Sequence, residues 1–242
     1  LNDGEIVAFL RLGNDLAENY YQVEIPLQVS PQTSLDPELV WPELNEINIP
    51  ISAFEAIKSI SIVNGNLGSD TPVFYNLDGD NVIEEPVSEF SFLEFGNQRV
   101  SIKGNPNFGD VRTLMVGVKN PSQDNMDVCA EVWFNELRLS DMDNEGGWAA
   151  TLAVDSNFAD FINLSATARQ STSGFGNLEQ GPSERDKEDK KQYDLVTSMN
   201  VGKLFPEKWG LTIPFNYSSG EELITPEYDQ QFRDIRLNSV LD

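Results

Sequence analysis

The fold is decided by four stretches near the carboxyl end: WAATLAV (148–154), FINLSATAR (161–169), YDLVTSMNV (193–201) and WGLTIPFNY (209–217). Apolar and polar residues alternate along each stretch, and this period of two is typical of a β-strand with two different faces. A strand in a soluble domain usually has about 5–6 residues, whereas a strand that crosses a bilayer needs about 9–11. The lengths of these stretches therefore favour membrane-spanning strands.

The alternation separates an apolar face from a face of small polar residues. Aromatic residues stand at the ends of the apolar face, where tryptophan and tyrosine meet the membrane–water interface. The side chains predicted to face lipid or a partner protein are Trp148, Leu152, Val154, Ile162, Leu164, Tyr193, Leu195, Met199, Trp209, Leu211, Ile213, Phe215 and Tyr217.

The lengths of the connections predict how these strands are oriented across the membrane. The connections Asp155–Asp160 and Gly202–Lys208 are short, whereas 171–192 is long and rich in charge. Membrane barrels have short periplasmic turns and long external loops, which predicts that 171–192 is external and that the preceding module is extracellular. Four strands cannot close a barrel, so we expect them to pair with further strands in an outer-membrane wall. Pro214 fits only an edge, a bulge or a strained position.

Composition excludes several classes of function. The chain has 242 residues, a net charge of −24 and no histidine. The acidity disfavours nucleic-acid binding, and the lack of histidine removes Ser-His-Asp and Cys-His sites. No apolar run is long enough for a transmembrane helix. The chain has no initiator methionine, so we expect it to be a piece of a longer protein.

Residues 1–145 carry short strand signals separated by Gly, Pro and Asn turns, which predict an antiparallel sandwich or jelly-roll module. One helical turn is predicted at Ser52–Lys58, with Ser52 and Glu55 at capping-box spacing. The predicted strands are Glu5–Leu12, Tyr20–Val29, Glu46–Ile51, Ile57–Val63, Glu89–Phe95, Val100–Lys103, Thr113–Lys119 and Val128–Leu139.

The apolar residues change phase within Val128–Leu139, which predicts a β-bulge close to Asn135. Cys129 lies in the same stretch and is interpreted as a structural thiol rather than a reactive one. Gly146 and Gly147 follow as a flexible joint. The predicted domains are therefore an extracellular module at 1–145, four barrel strands at 146–217 with the loop 171–192, and an external tail at 218–242.

Three local motifs leave alternative functions open. The run Trp133–Ser140 is similar to the closing strand of concanavalin-like lectin modules and indicates glycan binding. Glu131 and Glu136 have the spacing of a jelly-roll glycoside hydrolase pair, although Trp133 stands where those families have an aspartate. Asp78–Asn81, with Glu84 or Glu85, has part of the oxygen set of a calcium loop.

Longer strings resemble one family. NPNFGDVRTLMVGVKNPS (105–122), CAEVWFNELRLS (129–140), DNEGGWAA (143–150), FPEKWG (205–210) and IPF (213–215) are similar to the SprA/Sov family of gliding-motility cell-surface proteins. The resemblance covers most of the chain and is strongest from about 105 to 217. Members of that family are much longer than this chain.

The resemblance implies the outer-membrane translocon of the type IX secretion system. It implies a protein-conducting barrel with a lateral opening and an extracellular cap, acting in protein transport and gliding motility. The implied partners are a PorV-like barrel, a periplasmic plug protein, secreted cargo proteins, outer-membrane lipid and the remaining strands of the parent barrel. It implies no catalytic residue and no cofactor, and we predict that the chain is not an enzyme.

The predicted fold is therefore all-β: an antiparallel β-sandwich or jelly-roll module followed by strands of a large transmembrane β-barrel. The alternative is a soluble surface β-sandwich that binds glycan.

Overall fold

The computed structural model describes residues 1–31, 33–77, 83, 85–122, 127–140, 146–159, 161–181 and 184–237. These residues form mostly β-strands, arranged in two antiparallel sheets. The strands are β1 Val7–Gly13, β2 Tyr20–Pro26, β3 Val73–Leu77, β4 Gln98–Lys103, β5 Thr113–Lys119, β6 Ala149–Phe158, β7 Ile162–Ser171, β8 Glu188–Asn200 and β9 Pro214–Pro226; the helices are α1 Pro37–Val40 and α2 Ile51–Val63. The predicted β-rich antiparallel architecture is confirmed.

The chain divides into two compact units. The first unit holds residues 1–136 together with 231–242, and the second holds 137–230.

A five-stranded sheet in the order β3-β4-β2-β1-β5 organises the first unit. Leu10 lies opposite Val23, and Val23 lies opposite Val100, so alternate residues share one apolar face. Helix α2 packs on this face through Phe54 and Ile57, which are 2% and 0% exposed. The layered unit fits the predicted sandwich, with a helix as one of its layers.

Helix α2 is longer than the single predicted turn, and it replaces the predicted strand Ile57–Val63. The segment Ile57–Ile62 alternates isoleucine with polar residues, which favours a strand locally. The buried residues Ala53, Phe54, Ile57, Lys58 and Ser61 instead follow helical spacing, so packing against the sheet overrides the local pattern. The expected capping box is also wrong, because Pro50 is the N-cap and no side chain caps the helix.

Two other predicted strands are wrong, and β3 was missed. Glu46–Ile51 and Glu89–Phe95 form no strand. Near Glu89 the backbone carbonyls of Glu89 and Ser91 accept hydrogen bonds from the Arg99 guanidinium rather than from a neighbouring strand. A side chain distant in sequence therefore satisfies this backbone, which local alternation cannot reveal.

The second face of the five-stranded sheet is polar. Glu24 is 1% exposed and accepts from Lys119 Nζ at 2.7 Å. Arg11 donates to Gln22 at 2.7 Å, and its guanidinium lies 3.9 Å from the ring centroid of Tyr20. Burial lowers the pKa of Arg99, and the charges of Glu24 and Glu89 oppose this shift. These contacts satisfy charges that would otherwise be costly to bury.

An ion pair inside the first unit joins α2 to the returning end of the chain. Lys58 Nζ lies 2.7 Å and 2.9 Å from the two carboxylate oxygens of Asp234, and it also donates to the Pro106 carbonyl at 2.8 Å. The Phe108 N–H donates to Asp234 at 2.9 Å. The Lys58 and Asp234 side chains are 2% and 3% exposed. The chain beyond the second unit is therefore anchored in the core of the first.

Asp15 closes the β1–β2 turn and supports a prediction on pH. Its carboxylate accepts from the Asn19 side chain at 2.9 Å and from the backbone N–H of Ala17 and Asn19 at 2.9 and 3.0 Å. The Asn19 side chain, followed by the backbone donors, holds the pKa of Asp15 well below its usual range. Because the folded pKa is depressed, the contribution to stability is complete above the unfolded pKa of about 3.9 and is lost as pH falls below it.

We therefore expect Asp15→Ala to lower the free energy of unfolding at neutral pH, and the difference from the parent protein to shrink below about pH 4. Urea unfolding of both proteins at a series of pH values measures this difference in free energy. Asp70→Ala is the control, because exposed Asp70 makes no hydrogen bond in the part of the chain that the structure describes. A difference that stays constant down to the lowest pH would contradict the assignment.

The second unit is a four-stranded sheet in the order β6-β7-β8-β9. The first three strands overlap the predicted stretches, but β9 begins at Pro214 and continues to Pro226 instead of covering 209–217. Pro214 is the first residue of an edge strand, where a missing N–H is tolerated. Strand β8 begins at Glu188, so the charged connection is 172–187 rather than 171–192.

Candidate functional site

The register of the four-stranded sheet aligns the apolar positions of all four strands. Val154 lies opposite Ala166, and Ala166 lies opposite Leu195. Residues directly opposite one another share a face. The apolar face defined in this way contains Ala150, Leu152, Val154, Phe158, Ile162, Leu164, Ala166, Ala168, Tyr193, Leu195, Met199, Phe215, Tyr217 and Leu223.

The opposite face of the sheet, the polar face, carries small and hydrophilic side chains. Asn157 lies opposite Asn163 and donates to its side-chain oxygen at 2.6 Å. Gln192 donates to Asp194 at 2.9 Å, two residues along the same strand. Thr167 lies opposite Asp194, and Gly220 lies opposite Asp194 on the other side. This face is suited to contact with water.

Neither face is covered within the part of the chain that the structure describes. No residue of β6, β7, β8 or β9 is buried. Leu152 is 65% exposed and Phe215 is 49% exposed. Soluble monomers rarely expose a continuous apolar surface of this extent, and such surfaces mark contact with protein or membrane.

On the apolar face, charge is confined to one end of the sheet. We call the end near 172–187 the loop end, and the end near 159–161 and 201–213 the turn end. At the loop end, β8 begins with Glu188-Asp189-Lys190-Lys191 and β9 carries Glu221 and Glu222. On the apolar face, the strand residues within 150–158, 162–170, 193–199 and 215–219 include no Asp, Glu, Lys or Arg, whereas Asp155, Arg169 and Asp194 lie on the opposite face. The outer side of the sheet is therefore suited to an apolar environment throughout its turn half and as far as the level of Tyr193.

Among the described residues both edges of this sheet are open, since β6 and β9 each have one neighbouring strand there. An open edge exposes a row of backbone N–H and C=O groups that can pair with another strand. Strands β8 and β9 have 13 residues each, whereas β6 and β7 have 10 each. The extra length of β8 and β9 lies at the charged loop end.

The structure brings most of the predicted lipid- or partner-facing residues together. Leu152, Val154, Ile162, Leu164, Tyr193, Leu195, Met199, Phe215 and Tyr217 all lie on the apolar face. Trp148 precedes β6, and its backbone N–H donates to Thr172 Oγ1 at 3.0 Å. Trp209, Leu211 and Ile213 are outside the strands, in the exposed connection 201–213.

Two large side chains of the apolar face were missed from the sequence. Phe158 ends β6 and is 56% exposed, and Leu223 lies in the extension of β9. Strand β6 continues through the polar run Asp155-Ser156-Asn157, which hides the strand in the sequence. The period of two nevertheless places Phe158 on the same face as Val154. The Ser218–Glu222 segment interrupts the apolar alternation in the same way.

The other motifs form no comparable site. The predicted strand Val128–Leu139 is wrong, because these residues belong to no sheet. The predicted bulge near Asn135 consequently has no ladder to interrupt. Glu131 accepts from Trp133 Nε1–H at 2.6 Å, and Cys129 is exposed rather than placed on a buried strand face. The local alternation of this segment is not matched by a pairing strand.

The predicted calcium loop at Asp78–Asn81 and its candidate ligand Glu84 lie outside the described residues; Glu85 is exposed. Among the residues that the structure does describe, no group of three or more His, Cys, Asp or Glu side chains could hold a metal ion. The helices of the described ranges are all too short or too polar to cross a membrane.

Comparison with known proteins gives one match over nearly the whole chain. A family model described as "motility related/secretion protein", SprA_N, matches residues 1–241. The search of curated proteins finds no match. The match includes the strings that resemble SprA/Sov proteins and both structural units. The chain therefore belongs to the SprA family of motility-related secretion proteins.

Proposed function

We propose that β6–β9 form part of the wall of a protein-conducting translocon in the outer membrane, the one that serves type IX secretion and gliding motility. The observation that carries the proposal is the exposed sheet itself, with an apolar face aligned over four strands and a polar face behind it. Family membership supports a role in secretion or motility. In this assignment the chain has a structural and transport role rather than a catalytic one.

Strand length supports the assignment to a bilayer. Strands β6 and β7 have 10 residues each. At about 3.4 Å per residue they extend about 34 Å. Tilted by about 40°, as in known barrels, they rise about 26 Å, which is close to the apolar band of about 25 Å.

The two faces have different partners in this proposal. The apolar face meets outer-membrane lipid or a PorV-like barrel partner. The polar face lines the water-filled interior through which secreted cargo proteins pass, and a periplasmic plug protein closes that interior. The open edges β6 and β9 pair with the remaining strands of the parent barrel, because unpaired backbone groups are not tolerated in lipid.

Charge supports an orientation with the loop end outside. The connection 172–187 and the adjoining ends of β8 and β9 carry most of the charged residues of this unit and belong in water. Connection length is a weaker argument than expected, because 201–213 is nearly as long as 172–187. The first unit lies on the extracellular side in this orientation.

We expect Leu195→Arg to reduce assembly of the parent protein into the outer membrane. Leu195 lies in the middle of the apolar face, opposite Ala166. Arginine on the lipid side near the bilayer centre costs about 2–4 kcal/mol. The measurement is the amount of parent protein that is released from membranes only by detergent.

Thr167→Arg is the matched control, because Thr167 lies on the polar face at nearly the same depth, opposite Asp194 of β8. We expect it to assemble normally. Equal effects of the two variants would contradict the assignment of the faces. Release of the parent protein without detergent would favour the soluble glycan-binding alternative.

A further inference from the structure

The connection between β8 and β9 is a closed loop rather than an open linker. The Val201 N–H donates to the Ile213 carbonyl at 2.8 Å and ties the two ends together. Gly202 is buried there, and a Cβ on it would lie 2.2 Å from the Leu211 carbonyl oxygen, so only glycine allows this approach. The 3-10 turns Val201–Leu204 and Glu207–Trp209 shape the loop between these ends. We call residues 202–212 the aromatic loop.

The aromatic loop presents apolar side chains to its surroundings. Leu204 is 67% exposed and Trp209 is 62% exposed. The rings of Phe205 and Trp209 are stacked, with centroids 5.9 Å apart and an interplanar angle of 19°. Leu211 is 44% exposed. A soluble protein gains nothing by holding two stacked rings outside its core, so the loop is built to contact something else.

The charges of the aromatic loop differ from those of the rest of the chain. Lys203 and Lys208 are exposed, and Glu207 is the single acid among residues 202–212. Neither lysine forms a salt bridge within the described part of the chain. A local excess of positive charge in a chain of net charge −24 indicates an anionic partner.

We infer that the aromatic loop is a lipid-binding site for the headgroup region of the membrane. The inference rests on the proposed function, since it takes the turn half of the sheet to be in lipid. Trp209 and Phe205 occupy the interface, where amphipathic rings are favoured. The Lys203 and Lys208 ammonium groups reach phosphate oxygens of phospholipid headgroups, and their carbon chains lie along the apolar surface. The site faces lipid rather than protein because it borders the uncharged part of the apolar face.

Fluorescence quenching in bilayers tests this. The full-length parent protein is placed in phosphatidylethanolamine–phosphatidylglycerol nanodiscs whose acyl chains are brominated either near the headgroup or near the methyl end. The fluorescence of Trp209 is obtained as the difference in emission between the parent protein and the Trp209→Phe variant. We expect bromine near the headgroup to remove most of this fluorescence, and bromine near the methyl end to remove little of it.

Two further variants separate the possible outcomes. Trp133 is 69% exposed and lies in the first unit, which is outside the bilayer in the proposed function. The fluorescence that Trp133→Phe removes should therefore not be quenched by bromine. Leu152→Trp places a probe on the apolar face and should be quenched. If this probe is quenched and Trp209 is not, the loop does not contact lipid and the lipid inference is wrong, although the wall assignment stands. If neither is quenched, the proposed function fails as well.

A separate variant tests the role of Lys203 and Lys208. Replacing both Lys203 and Lys208 by glutamine should weaken quenching of Trp209 by bromine near the headgroup, because the loop loses its attraction to phosphate. Lys190→Gln and Lys191→Gln, at the loop end, should leave that quenching unchanged. Unchanged quenching in the Lys203/Lys208 variant would exclude a headgroup role for the lysines.

Discussion

Lys58→Met is expected to lower the free energy of unfolding of the first unit by about 3–5 kcal/mol. The substitution leaves the Asp234 carboxylate in a site where its side chain is 3% exposed, without its cation. Uncompensated burial of a charge is far more costly than the loss of a surface ion pair. Hydrogen exchange of the buried amides in β2 and β4 measures this opening without depending on the second unit.

Two variants make the result specific to the buried charge. Arg112→Met removes an exposed partner of Asp110, which lies 2.7 Å away, and should leave the exchange rates unchanged. Adding Asp234→Asn to Lys58→Met should recover part of the loss, because the amide oxygen still accepts from Phe108 N–H and the uncompensated charge is gone. A double variant no more stable than Lys58→Met would argue against this explanation.

Phe54→Ala should have an effect of similar size, a loss of about 3–5 kcal/mol. Phe54 is 2% exposed on α2. Its ring centroid lies 5.2 Å from that of Tyr21 and 5.1 Å from that of Phe108. Truncation removes contacts with both rings and leaves a cavity between helix and sheet, which the surrounding side chains cannot fill.

Phe92→Ala is the matched control, since the same side chain is 79% exposed in that position. It should leave hydrogen exchange of β2 and β4 near that of the parent protein. Equal destabilisation by the two variants would mean that α2 is not the principal cover of the apolar face.

The four-stranded sheet could be predicted because it is uncovered. Because no other layer of the described chain packs on this sheet, its two faces differ only in their surroundings. The simple alternation of apolar and polar residues is therefore visible in the sequence of β6, β7 and β8. The end of the sheet could not be predicted, since Trp209, Leu211 and Ile213 continue the alternation although they lie in the connection 201–213. The tie between Val201 and Ile213 decides that boundary, and it depends on backbone geometry that side-chain patterns do not report.

The first unit was harder to predict because its contacts are remote in sequence. Helix α2 depends on the sheet beneath it, and the segment after Glu89 depends on the guanidinium of Arg99. Lys58 has the appearance of an ordinary surface lysine. Its partner Asp234 is 176 positions away, too far for spacing rules to apply.

The return of the chain to the first unit has a consequence for the order of folding. A polypeptide made from its amino end exposes Lys58 long before Asp234 exists, so this ion pair of α2 can form only late. All of β6–β9 must be synthesised before it can form. Closing so long a segment costs entropy that only late, specific contacts repay. Consolidation of the first unit is therefore coupled to completion of the strands that precede Asp234.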